Sequence, residues 1–284
     1  MRLASFIAPD GRPAFGALSA DGARLSNLAT GEVPDLRTAL GSWDSDELRR
    51  RVAQARHDIA LADIRWLPPI PQPGKILCVG LNYAAHAGEA EREMPRHPSV
   101  FTRFADTLVG HGQPIHVPRC STQLDYEAEL AVVIGRGGRH LRQEEASAAI
   151  AGYACFAENS VRDYQKHTGQ VTPGKNFHAS GGWGPWLVTV DEVPDVNGLE
   201  VVSRLNGREM QRDSVAHLIY SIAQIVAYVS EFTPLAPGDL IATGTPAGVG
   251  SLRKPPVFMT AGDVLEVEVT SLGTLRLPVI AEPA

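Results

Sequence analysis

Apolar residues along this chain fall mostly in short runs closed off by Gly or Pro, the pattern of strands that turn back on themselves rather than of long helices. The strand candidates are 75–79, 99–103, 127–134, 186–190, 199–205, 239–243, 264–270 and 275–280. One stretch has a different period. Val215, Leu218, Ile219, Ile222, Ile225, Val226 and Val229 recur at i, i+3, i+4 and i+7, which predicts a helix over 215–232 with one buried stripe. A second helix is expected over 143–151, where acids in the first turn complement the helix dipole.

The first seventy residues read as a smaller unit, with strand-like runs at 4–8 and 14–19 and a helical stretch at 44–57. Pro68, Pro69, Pro71 and Pro73 then interrupt all regular structure, so the expected organisation is a small N-terminal α/β unit, 1–70, followed by a larger domain, 71–284. Many irregular strands with few helices fit an α+β, β-rich roll better than a doubly wound sheet, whose strands would alternate with helices. There is no internal repeat and no low-complexity segment.

Composition narrows the function classes. At 284 residues with 44% hydrophobic content the chain can bury a large core. A net charge of −6 with interspersed signs and no Lys/Arg run gives no basic face for nucleic acid, so an anionic ligand would have to be drawn by a local cluster. Cys78, Cys120 and Cys155 are odd in number and lack CxxC spacing, which argues against a disulfide framework or a zinc site and for buried free thiols. The N-terminus has no sustained apolar h-region, and no stretch reaches the roughly 20 apolar residues of a membrane span. A soluble cytoplasmic protein without a membrane partner is expected.

Two acids interrupt the apolar run Leu124-Asp125-Tyr126-Glu127-Ala128-Glu129-Leu130-Ala131-Val132-Val133-Ile134. A strand's period of two points Glu127 and Glu129 to one face. Buried without a partner, each would be costly, so the pair either faces water on an edge strand or is neutralised by something positive such as a hard divalent cation. Downstream, Gly152-Tyr153-Ala154-Cys155-Phe156-Ala157-Glu158-Asn159-Ser160-Val161-Arg162-Asp163-Tyr164-Gln165 adds a third carboxylate, an arginine and a glutamine. Upstream, Asn82-Tyr83-Ala84-Ala85-His86-Ala87-Gly88-Glu89 spaces a histidine and a glutamate i, i+3, side by side on a short helix. A carboxylate bonded to imidazole fixes its tautomer and strengthens it as a base.

With Pro173-Gly174-Lys175-Asn176-Phe177 and Thr243-Gly244-Thr245-Pro246-Ala247-Gly248, these motifs run in order from about Lys75 to about Ile280, and together they closely resemble the fumarylacetoacetate hydrolase family. The resemblance implies a mixed β-roll or sandwich, a homodimer, and one Mg²⁺ or Mn²⁺ held by Glu127, Glu129 and Glu158. It also implies a water-activating dyad of His86 and Glu89, and Lys175 as the cation that meets developing negative charge. Arg162, Gln165 and Thr245 match positions that contact substrate. The chain departs from the family at Ala157-Glu158, where an Asn-Asp pair is usual, so the third carboxylate is one methylene longer. Asn159 is a weaker candidate ligand.

The activity implied is a metal-dependent hydrolase that cleaves a carbon–carbon bond in an acylpyruvate or related 1,3-dicarbonyl keto acid. The alternatives are a decarboxylase or isomerase of a 2-oxo or 2-hydroxydienoic diacid working through the same enolate, and a protein that binds metal and keto acid with little catalysis.

Overall fold

In the computed structural model, which describes residues 1–89 and 96–283, the run Ala128–Ile134 becomes a strand in the middle of a ten-stranded sheet, with every residue buried. Its continuous apolar sequence follows from that position, since both faces of the strand are covered. It pairs antiparallel with Ile150–Ala157 on one side and with Leu240–Ala242 on the other. The main path of the sheet runs Pro13–Ala17, Arg2–Ile7, Gly181–Thr189, Ile150–Ala157, Ala128–Ile134, Leu240–Ala242, Ile76–Gly80, Ser99–Thr102. A five-stranded sheet, in the order Arg208–Ser214, Glu200–Leu205, Val264–Val269, Gly273–Ala281, Ile115–Val117, packs over it. The β-rich α+β architecture is the one the sequence pattern implies.

The side-chain alternation of the central strand divides the core. Leu130, Val132 and Ile134 pack with Val201, Val267 and Leu277 of the second sheet and with Ile225 and Val229 of the helix Ile222–Phe232. Ala131 and Val133 face the other way, into a cluster with Phe156, Trp183, Leu3, Phe15, Leu36 and Leu48. Each fully buried Val, Leu, Ile or Phe side chain contributes about 1.5–3 kcal/mol of burial free energy, so the strand is held chiefly through Leu130, Val132 and Ile134 on one face and Val133 on the other.

The second cluster is supplied largely by the N-terminal residues. Arg2–Ile7 pairs with Gly181–Thr189 and Pro13–Ala17 with Arg2–Ile7, so the proline run at 68–73 interrupts the chain while the sheet continues across it.

Several elements differ from the sequence expectation. The helix expected over 215–232 starts at Ile222, and Val215–His217 is a separate 3₁₀ turn. Asn82 explains the break: its backbone carbonyl accepts from Ile219 N at 2.7 Å, and its side-chain amide exchanges hydrogen bonds with Tyr220 N at 2.8 Å and Tyr220 O at 3.1 Å. These contacts hold the preceding residues out of helical geometry, and Ser221 then caps the new start with Gln224 in a capping box. The helical stretch expected at 44–57 is Ser45–Gln54, and Leu36–Ser42 is an additional helix. The segment from Ile150 to Ala157, with its first two residues expected in helix, is a strand buried on both faces except at the half-buried Ala151. Cys78 and Cys155 are buried free thiols as expected, whereas Cys120 is exposed. Among the described residues no helix is long and apolar enough to cross a membrane.

Candidate active site

Strand pairing assembles the carboxylates. Glu127 directly precedes Ala128–Ile134, Glu129 lies within it, and Glu158 directly follows Ile150–Ala157, whose Ala157 sits opposite Ala128. The pairing extends one step further, with Glu158 N donating to Glu127 O at 2.9 Å. Oxygens of Glu127, Glu129 and Glu158 all lie within 4.8 Å of one another, and all three residues are buried. The open choice between an exposed edge and a neutralised interior is thereby decided for the interior.

Two short helices bring the positive charge. Arg162–Gln165 and Thr172–Lys175 pack so closely that a Cβ on Gly174 would stand 2.5 Å from the Gln165 backbone, a contact only glycine permits. Lys175 Nζ then reaches Glu127 Oε2 at 2.9 Å and Oε1 at 3.1 Å, and also bonds Glu158 Oε2. Its ring-face contact is Phe101, with Nζ 5.2 Å from the centroid. Arg162 Nε donates to Asp125 Oδ2 at 2.7 Å and Nη1 to Gln165 Oε1 at 2.9 Å, while Nη2 stands 2.8 Å from Glu127 Oε1 as a charge contact without hydrogen-bond alignment. The carboxylate partners of Arg162 are therefore Asp125 and Glu127, while Asp163 accepts from Ser121 Oγ at 2.7 Å. Ser160 Oγ completes the shell of Glu127, donating to Oε1 at 2.6 Å.

These contacts set the protonation states. Burial alone would push the Glu127 carboxyl up, but Lys175 and Arg162 outweigh it and hold the group well below the usual carboxylate range. Glu129 goes the other way, pushed well up by burial and then by the charges of Glu158 and Glu127. Glu158 is raised to about 7, chiefly by burial, with Lys175 and Arg103 opposing and Glu127 adding to the rise. Glu129 pairs with no Lys or Arg among the described residues; its Oε2 accepts from Gly244 N at 2.9 Å. Gly244 adopts φ +109°, and a Cβ there would meet Asn82 Cβ at 2.8 Å, so the close backbone approach to Glu129 requires glycine. Three converging carboxylates offer the hard oxygen donors that a divalent cation takes, and these are the residues that would hold it.

A cavity of about 820 Å³ opens over this cluster and is lined by the three glutamates, Lys175, Arg162, Gln165, Thr245 and His86. His86 Nδ1 stands 3.4 Å from Glu89 Oε2, and the Glu89 carboxylate also accepts from Gly248 N at 3.0 and 3.2 Å. Thr245 is committed to structure: its hydroxyl donates to Ala128 O at 2.9 Å and accepts from Gln211 Nε2 at 2.8 Å. Asn159 is likewise occupied, since its Oδ1 accepts from Glu127 N at 3.2 Å and its Nδ2 donates to Ser180 O at 2.9 Å. Arg103, Asp125 and Ser160 escaped the sequence reading, because no spacing links them to the residues they hold.

The profile of the fumarylacetoacetate (FAA) hydrolase C-terminal region matches residues 75–280. The chain is 36% identical over 283 residues to the mitochondrial oxaloacetate tautomerase FAHD2A of Bos taurus, covering 97% of this chain and 90% of the relative. Among solved structures, 5-carboxymethyl-2-hydroxymuconate delta-isomerase from Mycobacterium smegmatis superposes with a TM-score of 0.80 at 31% identity, covering 99% of this chain and 100% of that one. Maleylpyruvate hydrolase from Sphingobium sp. SYK-6, in complex with manganese(II) and pyruvate, gives a TM-score of 0.82 at 26% identity with both chains fully covered. With a family profile spanning the whole region that carries the cavity, and a relative aligned over nearly the full length, this chain belongs to the fumarylacetoacetate hydrolase family.

Proposed function

We propose that this protein is a divalent-cation-dependent enzyme that interconverts the keto and enol forms of a 2-oxo acid, with dicarboxylates of the oxaloacetate type as its substrate class. The observation that carries this reading is the gathering of Glu127, Glu129, Glu158 and Lys175 on one cavity wall, in a chain that resembles oxaloacetate tautomerases along 97% of its length. A Mg²⁺ or Mn²⁺ held by the three glutamates would withdraw electron density from the substrate's 2-oxo group and make the neighbouring C–H more acidic.

The chain's own residues supply the rest. His86, backed by Glu89, accepts the proton from that carbon. Lys175 faces the oxygen on which negative charge grows. Burial pulls the Lys175 ammonium down, but Glu127 and Glu158 more than offset it, so the group stays charged and acts as an electrostatic partner. Return of a proton to oxygen completes the exchange: one C–H bond breaks, one O–H bond forms, and no electrons change hands.

The second reading is hydrolysis of an acylpyruvate, favoured by the same dyad, whose His86 lines the cavity and is suited to deprotonating water for attack on a distal carbonyl. The decisive experiment follows the ultraviolet decay of enol-oxaloacetate with Mn²⁺, with chelator, and with Mn²⁺ restored, beside a panel of acylpyruvates. Metal-dependent acceleration of the decay supports the tautomerase. Cleavage of an acylpyruvate without that acceleration favours the hydrolase, and neither activity from a metal-loaded protein favours a binding role. The homodimer implied by the family is part of the same proposal, read by sedimentation.

A further inference from the structure

Arg103 follows the strand Ser99–Thr102, and its side chain is fully buried behind the carboxylate cluster. A guanidinium out of reach of water must find acceptors for five N–H groups and a counter-charge, or it is strongly destabilising. Arg103 finds its counter-charge and an acceptor for each of its three nitrogens on the residues around the third carboxylate. Nη1 donates to Glu158 Oε1 at 3.1 Å, to Asn159 O at 3.0 Å and to the Glu158 carbonyl. Nη2 donates to Ser180 Oγ at 2.9 Å and Nε to Thr107 Oγ1 at 3.1 Å. Ser180 lies shortly after Lys175, and its carbonyl accepts from Asn159, so one side chain ties together the two segments that supply Glu158 and Lys175.

We infer that Arg103 is the positioning residue for Glu158: by occupying Oε1, it leaves Oε2 as the one oxygen that this longer carboxylate presents to Lys175 and to a divalent cation. The inference rests on the metal-centre reading above. Its physical basis is the extra methylene. A glutamate has one more rotatable bond than the aspartate usual in the family, so more restraint is needed to hold its carboxylate in a single ligating pose. The planar fork of arginine sets Nη1 on the Glu158 side while Nη2 and Nε anchor on Ser180 and Thr107, so the nitrogen that meets the carboxylate is fixed from two further directions, which a lysine's single ammonium cannot do.

The test titrates Mn²⁺ by calorimetry into the full-length wild type, Arg103→Gln, Arg103→Lys, Glu158→Gln and the Arg103→Gln/Glu158→Gln pair, with folding checked by circular dichroism. Loss of a residue that orients a ligand typically weakens metal binding about 10- to 100-fold, and that loss is expected for Arg103→Gln. Arg103→Lys should recover part of it, and Arg103→Gln should add nothing in the Glu158→Gln background. A merely structural arginine would lower the melting temperature and leave the Mn²⁺ affinity of the folded protein unchanged; that result, or losses that add in the double variant, overturns the inference. Should Arg103→Gln fail to fold, Arg103→Lys decides, with unchanged affinity overturning it. A wild type that takes up no Mn²⁺ removes the metal-centre reading and this inference together, whereas a wild type that binds alongside an unaffected Arg103→Gln removes this inference alone.

Discussion

Among the three gathered carboxylates Glu129 is the one without a Lys or Arg partner in the described residues, and burial together with Glu158 and Glu127 pushes its carboxyl well up. Its ionised form therefore works against the metal-free fold and in favour of a bound cation. Glu129→Gln removes that charge at nearly constant shape, so the metal-free variant should melt above the wild type in mildly alkaline buffer while Mn²⁺ affinity falls by more than about tenfold. Scanning calorimetry paired with Mn²⁺ titration reads both, and a metal-free variant less stable than wild type would contradict the charge argument. His86 poses a separate question, because it stands on the cavity wall without belonging to the carboxylate cluster. His86→Asn should lower kcat by about 10²-fold or more with Mn²⁺ affinity nearly intact, the range general-base catalysis supplies. Steady-state kinetics at saturating Mn²⁺ checks it, and an unchanged kcat would take His86 out of the chemistry.

At the scale of elements, the helix Ile222–Phe232 shows how a tertiary contact overrides a sequence period. Val215 and Leu218 continue the apolar repeat of the helix, yet they lie outside it, because Asn82 binds the backbone of Ile219 and Tyr220 and Leu218 bridges to Tyr83. The helix then depends on Ser221 for its start, with Ser221 Oγ accepting from Gln224 N at 3.3 Å and Gln224 Oε1 accepting from Ser221 N at 2.8 Å. Ser221→Ala should cost about 1 kcal/mol and lower the melting temperature by about 2–4 °C, with kcat unchanged. Thermal melts and a rate assay on the same preparation check it; a wild-type melting temperature would mean that packing of Ile225, Val226 and Val229 alone fixes the helix.

At the scale of the whole molecule, proton and metal compete for the same buried oxygens. The Glu158 carboxyl has a folded value of about 7 against an ordinary 4.5, so between those values the folded state holds a proton that the unfolded chain has released. Stability of the metal-free protein from this group therefore falls as pH rises through that window and levels off above it. A cation takes the deprotonated form, so the gain in melting temperature on adding Mn²⁺ should be largest above about pH 7 and shrink toward about pH 5. Melts with and without Mn²⁺ across that range test it, and a gain independent of pH would show that Glu158 does not ligate. The β-rich class and the apolar strand beginning beside Glu127 and containing Glu129 are legible in the sequence alone, as is the common direction of the two acids, because period-two alternation is a local property of the backbone. The motifs with family precedent, His86, Glu158 and Lys175 among them, were legible for the same reason that they are short and ordered along the chain. The interior placement of the glutamates, the strand Ile150–Ala157 beside them, the joining of Arg2–Ile7 and Pro13–Ala17 to the same sheet, and the position of Arg103 behind Glu158 come from the folded structure instead. Those outcomes depend on which residues distant in sequence come into contact, and neither the period of a segment nor its composition encodes its neighbour across a sheet.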